Sequence, residues 1–219
     1  MNREKEQNRK LSKAERLRSE KFNKIKEELM EKGYESIDLT IGIVYANKMA
    51  FVLTLPVIIG FAVVFGFFND IDFIEFIQSL NFGNILYLLM FFAVFMGLIF
   101  AHELIHGITW AVFAKKHWKA ISFGYIAEYM TPYCTCDEAL KKNEYILGSL
   151  MPTIALGVIP TIIAIFTGSF GLFIIGALMI LSGGGDLTII LNLMKFQSKC
   201  EETLYIDHPY QVGLVAFIR

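Results

Sequence analysis

Four long apolar runs dominate the hydrophobic pattern of this chain, at about 49–68, 84–114, 145–167 and 170–194. Each is near or above the ~20 residues with which an α-helix crosses a bilayer. The first forty residues follow a different rhythm. Charges of both signs alternate there, while Leu11, Ala14, Leu17, Phe22, Ile25 and Leu29 recur at roughly helical spacing, which predicts an amphipathic surface helix. Between the second and third runs, ISFGYIAEYMTPYCTC mixes aromatic and β-branched residues with Gly and Pro, the pattern of a short β-hairpin. The expected fold is an all-α polytopic membrane protein of about four transmembrane helices, with that hairpin in the loop between spans two and three. Residues 1–40 form a basic amphipathic segment in this reading, 41–195 a four-span membrane domain and 196–219 a C-terminal tail.

Composition supports this picture, with 55% hydrophobic residues in 219 and a positive mean hydropathy. Twelve lysines and arginines precede the first run, five lie between the second and third, three follow the fourth, and none falls in NDIDFIEF after the first. All twenty therefore sit on one side, and the positive-inside rule puts both termini and the long middle loop in the cytoplasm. The acidic Asp70, Asp72 and Glu75 fall in an outer loop. A cleavable signal peptide is not expected, because the charged start lacks the short basic region and apolar run that define one. The net charge of −1 implies no nucleic-acid partner. Three cysteines, all on the cytoplasmic side, argue against a disulfide framework, and Cys134 and Cys136 read as reduced thiols packing as small apolar groups.

One motif changes the picture from architecture to chemistry. Residues 102–106 read HELIH inside the second apolar run. On a helix His102 and His106 lie four residues apart on one face, the spacing that chelates a single zinc, and Glu103 is placed to act as a general base towards water. A pattern with three fixed positions arises by chance in soluble helices. Here its flanks are almost wholly apolar, and ionisable groups at membrane depth are costly unless they serve a function.

A catalytic zinc usually takes three protein ligands, so the rest of the chain must supply one more at the same depth. Asp186 is the best-placed candidate. HELIH lies about 16 Å in from Lys115 and Asp186 about 14 Å in from Lys195 on the same side, at 1.5 Å per helical residue. Asp186 follows Gly183, Gly184 and Gly185, which allow close packing against the HELIH helix or local unwinding towards a substrate, with Gly184 and Gly185 as substrate-positioning candidates. Glu128 in the hairpin is the rival ligand and otherwise a candidate for positioning substrate. His117 and His208 read as facing water or lipid head groups, and Asp137 matches the depth less well. Pro152 and Pro160, with Gly148 and Gly157, should bend the third span.

The order of these features resembles the site-2 protease class of intramembrane zinc metalloproteases. More closely, the chain is similar to the bacterial family known as putative zincin membrane peptidases. The likeness rests on KGYESIDLT, AHELIHG, the CTC stretch ending in YILGSLMP, and SGGGDL, and covers most of the chain after about residue 32. One departure stands out: the site-2 class places Asp before Gly, whereas Gly185 precedes Asp186 here. The resemblance implies a bacterial cell-membrane protein binding Zn2+ through His102, His106 and Asp186, with Glu103 as catalytic acid/base. It further implies cleavage of a membrane protein or peptide near the cytoplasmic face, with the lipid bilayer as surroundings. A homo-oligomer is compatible with the sequence. The alternative function is a non-proteolytic membrane scaffold or chaperone, whose structural zinc would be closed by a fourth ligand such as Glu128 or Cys134.

Overall fold

A computed structural model describes residues 11–69, 85–126 and 131–219. Asp70, Asp72, Glu75 and Glu128 lie outside the described residues. Helix α1 (Lys13–Glu31) begins at a reciprocal cap in which Ser12 Oγ accepts from the Glu15 N–H and Glu15 Oε2 accepts from the Ser12 N–H. Strand β1 (Glu35–Asp38) follows, then the apolar helices α2 (Ile43–Asn69) and α3 (Ile85–Phe113). A short 3-10 turn leads into the hairpin of β2 (Ile121–Ile126) and β3 (Thr131–Cys136). Strand β4 (Leu140–Lys141) precedes α4 (Lys142–Pro152), a π-helical turn at Thr153–Val158, and α5 (Ile159–Thr167). Helices α6 (Phe170–Ser182) and α7 (Gly184–Lys195), then strands β5 (Thr203–Asp207) and β6 (Leu214–Ile218), complete the chain.

Three helical stretches are long and apolar enough to cross a membrane: Ile43–Asn69, Leu88–Phe113 and Lys142–Thr167. A fourth is obtained if α6 and α7, bent by 42° at Gly183, count as one span. Strand pairing bears on these counts. Strand β1 precedes the first span and β6 follows the last, yet they pair antiparallel from Glu35↔Ile218 to Asp38↔Val215. Strand β4, between spans two and three, pairs with β5. Segments in one sheet would share one side of a bilayer, so this pairing fits an even number of crossings, with the bent pair counted as one. The third span runs on past Pro152 and Pro160, and its π-helical turn, whose wider hydrogen-bonded rings accommodate missing donors, takes up the irregularity.

The all-α expectation is corrected by two small antiparallel sheets. The hairpin β2–β3 is one, as the sequence predicts. The other has the order β1-β6-β5-β4 and includes residues 196–219 that read as a tail. These strands are at most five residues long, and β1 and β4 pair only with segments far away along the chain, so a local pattern does not reveal them. Phe22, Ile25 and Leu29 of α1 pack against Tyr34, Ile206, Val215 and Phe217. The apolar face of α1 thus docks on the C-terminal sheet, while Leu17 stays exposed.

Of the two roles expected of the glycines before Asp186, the loosening of the helix is seen at the Gly183 bend, while the close packing is made with another partner. A Cβ at Gly184 would lie 2.7 Å from Ala50 Cβ and 3.0 Å from Ala50 Cα, so the close approach is to α2 rather than to the HELIH helix. Because Ala50 backbone cannot move aside as a side chain can, Gly184→Leu is expected to cost about 1–3 kcal/mol or more. Thermal unfolding in detergent should show a lowered midpoint, and an unchanged midpoint would contradict this packing.

Candidate metal centre

Helix α3 presents His102 and His106 one turn apart, both 4% exposed. The bend at Gly183 starts a new helix whose first turn holds Asp186. His102 Nε2 lies 3.2 Å from Asp186 Oδ2 and 3.2 Å from His106 Nε2, and His106 Nε2 is 3.5 Å from the same carboxylate oxygen. Helices α3 and α7 thus bring one donor atom from each of three side chains, His102 and Asp186 being 84 residues apart in sequence, within 4.8 Å of one another.

The hydrogen bonding fits a shared cation. His106 Nδ1 lies 2.8 Å from the Gly148 carbonyl, which can only accept, so the ring proton sits on Nδ1 and Nε2 carries a lone pair. That lone pair faces an imidazole nitrogen and a carboxylate oxygen. A proton on His102 Nε2 could serve only one of its two acceptor neighbours at a time, and would leave His102 Nδ1, buried without a partner, as a stranded lone pair. A divalent ion held by both Nε2 atoms and Oδ2 removes the conflict, and an N,N,O set suits zinc. The His106 ring is further fixed by Trp110, stacked at 5.0 Å and 13°. Trp110 fits there because Gly148 lacks a side chain; a Cβ would lie 2.0 Å from Trp110 Nε1.

Glu103 follows His102 and lines the same cavity of about 830 Å3, with its carboxylate turned towards the backbone of Cys134 on β3. The hairpin comes this close because Gly107 is bare; a Cβ would meet Phe123 Cζ at 2.8 Å and Ile121 Cγ2 at 3.0 Å. Among the described residues β3 has a single strand partner, β2, and Tyr133, Cys134 and Thr135 line the cavity. Gly185 is on the cavity wall, whereas Gly184 is buried against α2. Cys134 and Cys136 are buried among Trp110, Ala114 and Tyr145, and burial raises both thiols, Cys136 to about 12. They are protonated, apolar packing groups, as expected. His117 is exposed on the 3-10 turn, and Asp137 bonds Lys21 and Ser122, so neither joins the metal group.

Sequence reasoning missed the C-terminal contribution. His208 does not simply face water: it is half-buried, lines the cavity, and its Nδ1 accepts from the backbone N–H groups of Gln211 at 3.0 Å and Tyr210 at 3.4 Å. Burial holds its pKa down at about 4, so the folded ring is neutral at neutral pH. The folded value lies below the ordinary ~6.5, so its contribution to stability is present above pH ~6.5 and is lost as pH falls towards 4. Acid unfolding of wild type and His208→Gln should show a shallower decline over that window in the variant; identical curves would contradict it. Asp207, also on the cavity wall, takes a short hydrogen bond from Tyr145 OH to Oδ1 at 2.5 Å. The pattern LYIDHPY offered one signal for both residues, an acidic and an imidazole side chain ending an apolar strand.

Comparison with known proteins now bears on the same residues. Residues 95–200 match a family described as "Putative zincin peptidase". The matched segment contains all three candidate ligands and Glu103, and a zincin family implies zinc. No curated protein and no solved structure matches the chain.

Proposed function

We propose that this chain, whose residues 95–200 match the family described as "Putative zincin peptidase", is a zinc-dependent intramembrane metallopeptidase of site-2-protease type. The convergence of His102, His106 and Asp186 beside Glu103, in a cavity within membrane-spanning helices, carries this reading. Bound zinc would polarise a peptide carbonyl and acidify water beside it. Glu103 would take the proton from the attacking water and deliver one to the leaving amine. The free edge of β3 is suited to hold a substrate in the extended form that cleavage requires. Glu128, outside the described residues, is kept as a positioning candidate. Residues that α1, β1, β4, β5 and β6 draw from would lie in the cytoplasm, following the lysine and arginine distribution, so cleavage would occur near that face.

The scaffold alternative needs a fourth protein ligand. Among the described residues the metal group comprises three, which supports an open position. Reconstituted, zinc-loaded protein should cut model membrane-spanning peptides, with products seen by mass spectrometry and lost on chelation. Stoichiometric zinc with no cleavage of any such peptide would favour the scaffold.

A further inference from the structure

The cavity changes character along α3. Met96, Ile99 and Phe100, before HELIH, line it with apolar surface, as does Ile43. On the other side of HELIH, Trp110 packs on Tyr145 at 5.8 Å, and Tyr145 reaches Asp207. The lining there is Thr135, Tyr145, Asp207, His208 and Arg18. The metal group thus lies between an apolar half within the spans and a polar half built by the strands and α1.

We infer that Asp207 is a recognition site for a cationic side chain of the substrate, a lysine or arginine flanking the cleaved bond on the sheet side. The inference rests on the peptide-substrate reading above. Asp207 accepts a hydrogen bond from a neutral donor, Tyr145, and among the described residues no lysine or arginine forms an ion pair with it. Partial burial of a carboxylate without an ion-paired counter-charge is costly, and an incoming cation in direct contact supplies that pairing, in competition with the more distant Arg18. Thr135 lies on the same wall, 8% exposed, with a hydroxyl that has no partner and is free to accept from an ammonium or guanidinium group.

The opposite assignment, an anion held by Arg18, is less well supported. The Arg18 guanidinium already lies over the Tyr133 ring at 4.1 Å. Arg18 acts on Asp207 electrostatically but forms no ion pair with it among the described residues, and Asp207 is coupled to His106 and Asp186 of the metal group as well. The sheet side is also the side to which the positive-inside rule assigns the lysines and arginines of this chain. The same rule places the cationic flank of a membrane-anchored substrate there. Arg18 and Asp207 both lie outside residues 95–200, so this preference would belong to this chain beyond what the family match covers.

The test measures binding rather than turnover. Full-length Glu103→Gln protein in nanodiscs is titrated with two Leu/Ala-rich membrane-spanning peptides that differ by one Lys or Glu at the flank. The Lys peptide should bind at least about tenfold more tightly. Asp207→Asn, whose amide oxygen can still accept from Tyr145, should abolish the preference, Asp207→Lys should invert it, and Arg18→Ala should strengthen it. Zinc content of each variant controls for folding. Equal affinities, a preference unaffected by Asp207→Asn, or no binding of either peptide would overturn the subsite. A retained Lys preference in a wild-type protein that hydrolyses nothing would overturn the peptidase reading alone.

Discussion

Glu103→Gln is expected to lower peptide hydrolysis by about 10²–10⁴-fold, the usual weight of a positioned general base, while the zinc content stays that of the wild type. The substitution keeps the size of the side chain and removes only its capacity to take a proton. Glu103 stands outside the group of three donor atoms, so the ion has no reason to leave. Its carboxylate is turned towards β3, along which a substrate would lie, and the proton moves within the cavity rather than across bulk water. Single-turnover cleavage of a membrane-spanning peptide, with zinc measured in the same samples, decides the matter. Activity within a few-fold of wild type would remove Glu103 from the mechanism, and loss of zinc would make it a structural support of the metal group.

Asp186→Ala should have the second large effect, a loss of zinc affinity exceeding the ~10–100-fold typical of changes to residues that only orient a ligand. The carboxylate is the one charged donor of the set, and without it two neutral imidazoles 3.2 Å apart are left to hold a divalent ion. The Ala variant should remain folded, because Gly184 packing on Ala50 does not involve this side chain. Trp110→Leu provides the comparison. It removes the ring stacked on His106 but no donor atom, so its loss should stay within the smaller range. Competition titration with a chelator gives both affinities. If Trp110→Leu cost more than Asp186→Ala, Asp186 would not be a ligand.

The parts legible in the sequence were those with local or depth-matched signals. Four apolar runs announced the long apolar helices, and HELIH with Asp186 at a matched distance along them anticipated the three side chains that the fold brings together. The hairpin was legible because Gly124 and Pro132 interrupt a strand-like stretch. Contacts over long separations were not. Strand β6 pairs with β1 across almost the whole chain, and neither strand has more than five residues with which to signal it. His208 was misplaced and Asp207 passed over for that reason: a segment read as a tail is carried back over the cavity only when the sheet forms. The glycine run before Asp186 signalled close packing, but its partner, Ala50, is a small residue without any pattern of its own.

The most direct measurement is zinc-edge X-ray absorption on the purified, full-length protein. The account predicts a first shell of nitrogen and oxygen only, with the multiple-scattering signature of two imidazoles, that changes to a single-imidazole pattern or vanishes in His102→Ala. A sulfur scatterer near ~2.3 Å would mean that Cys134 or Cys136 closes the site. That result, or a wild-type protein that holds no zinc when purified without chelators, would contradict the open three-ligand centre.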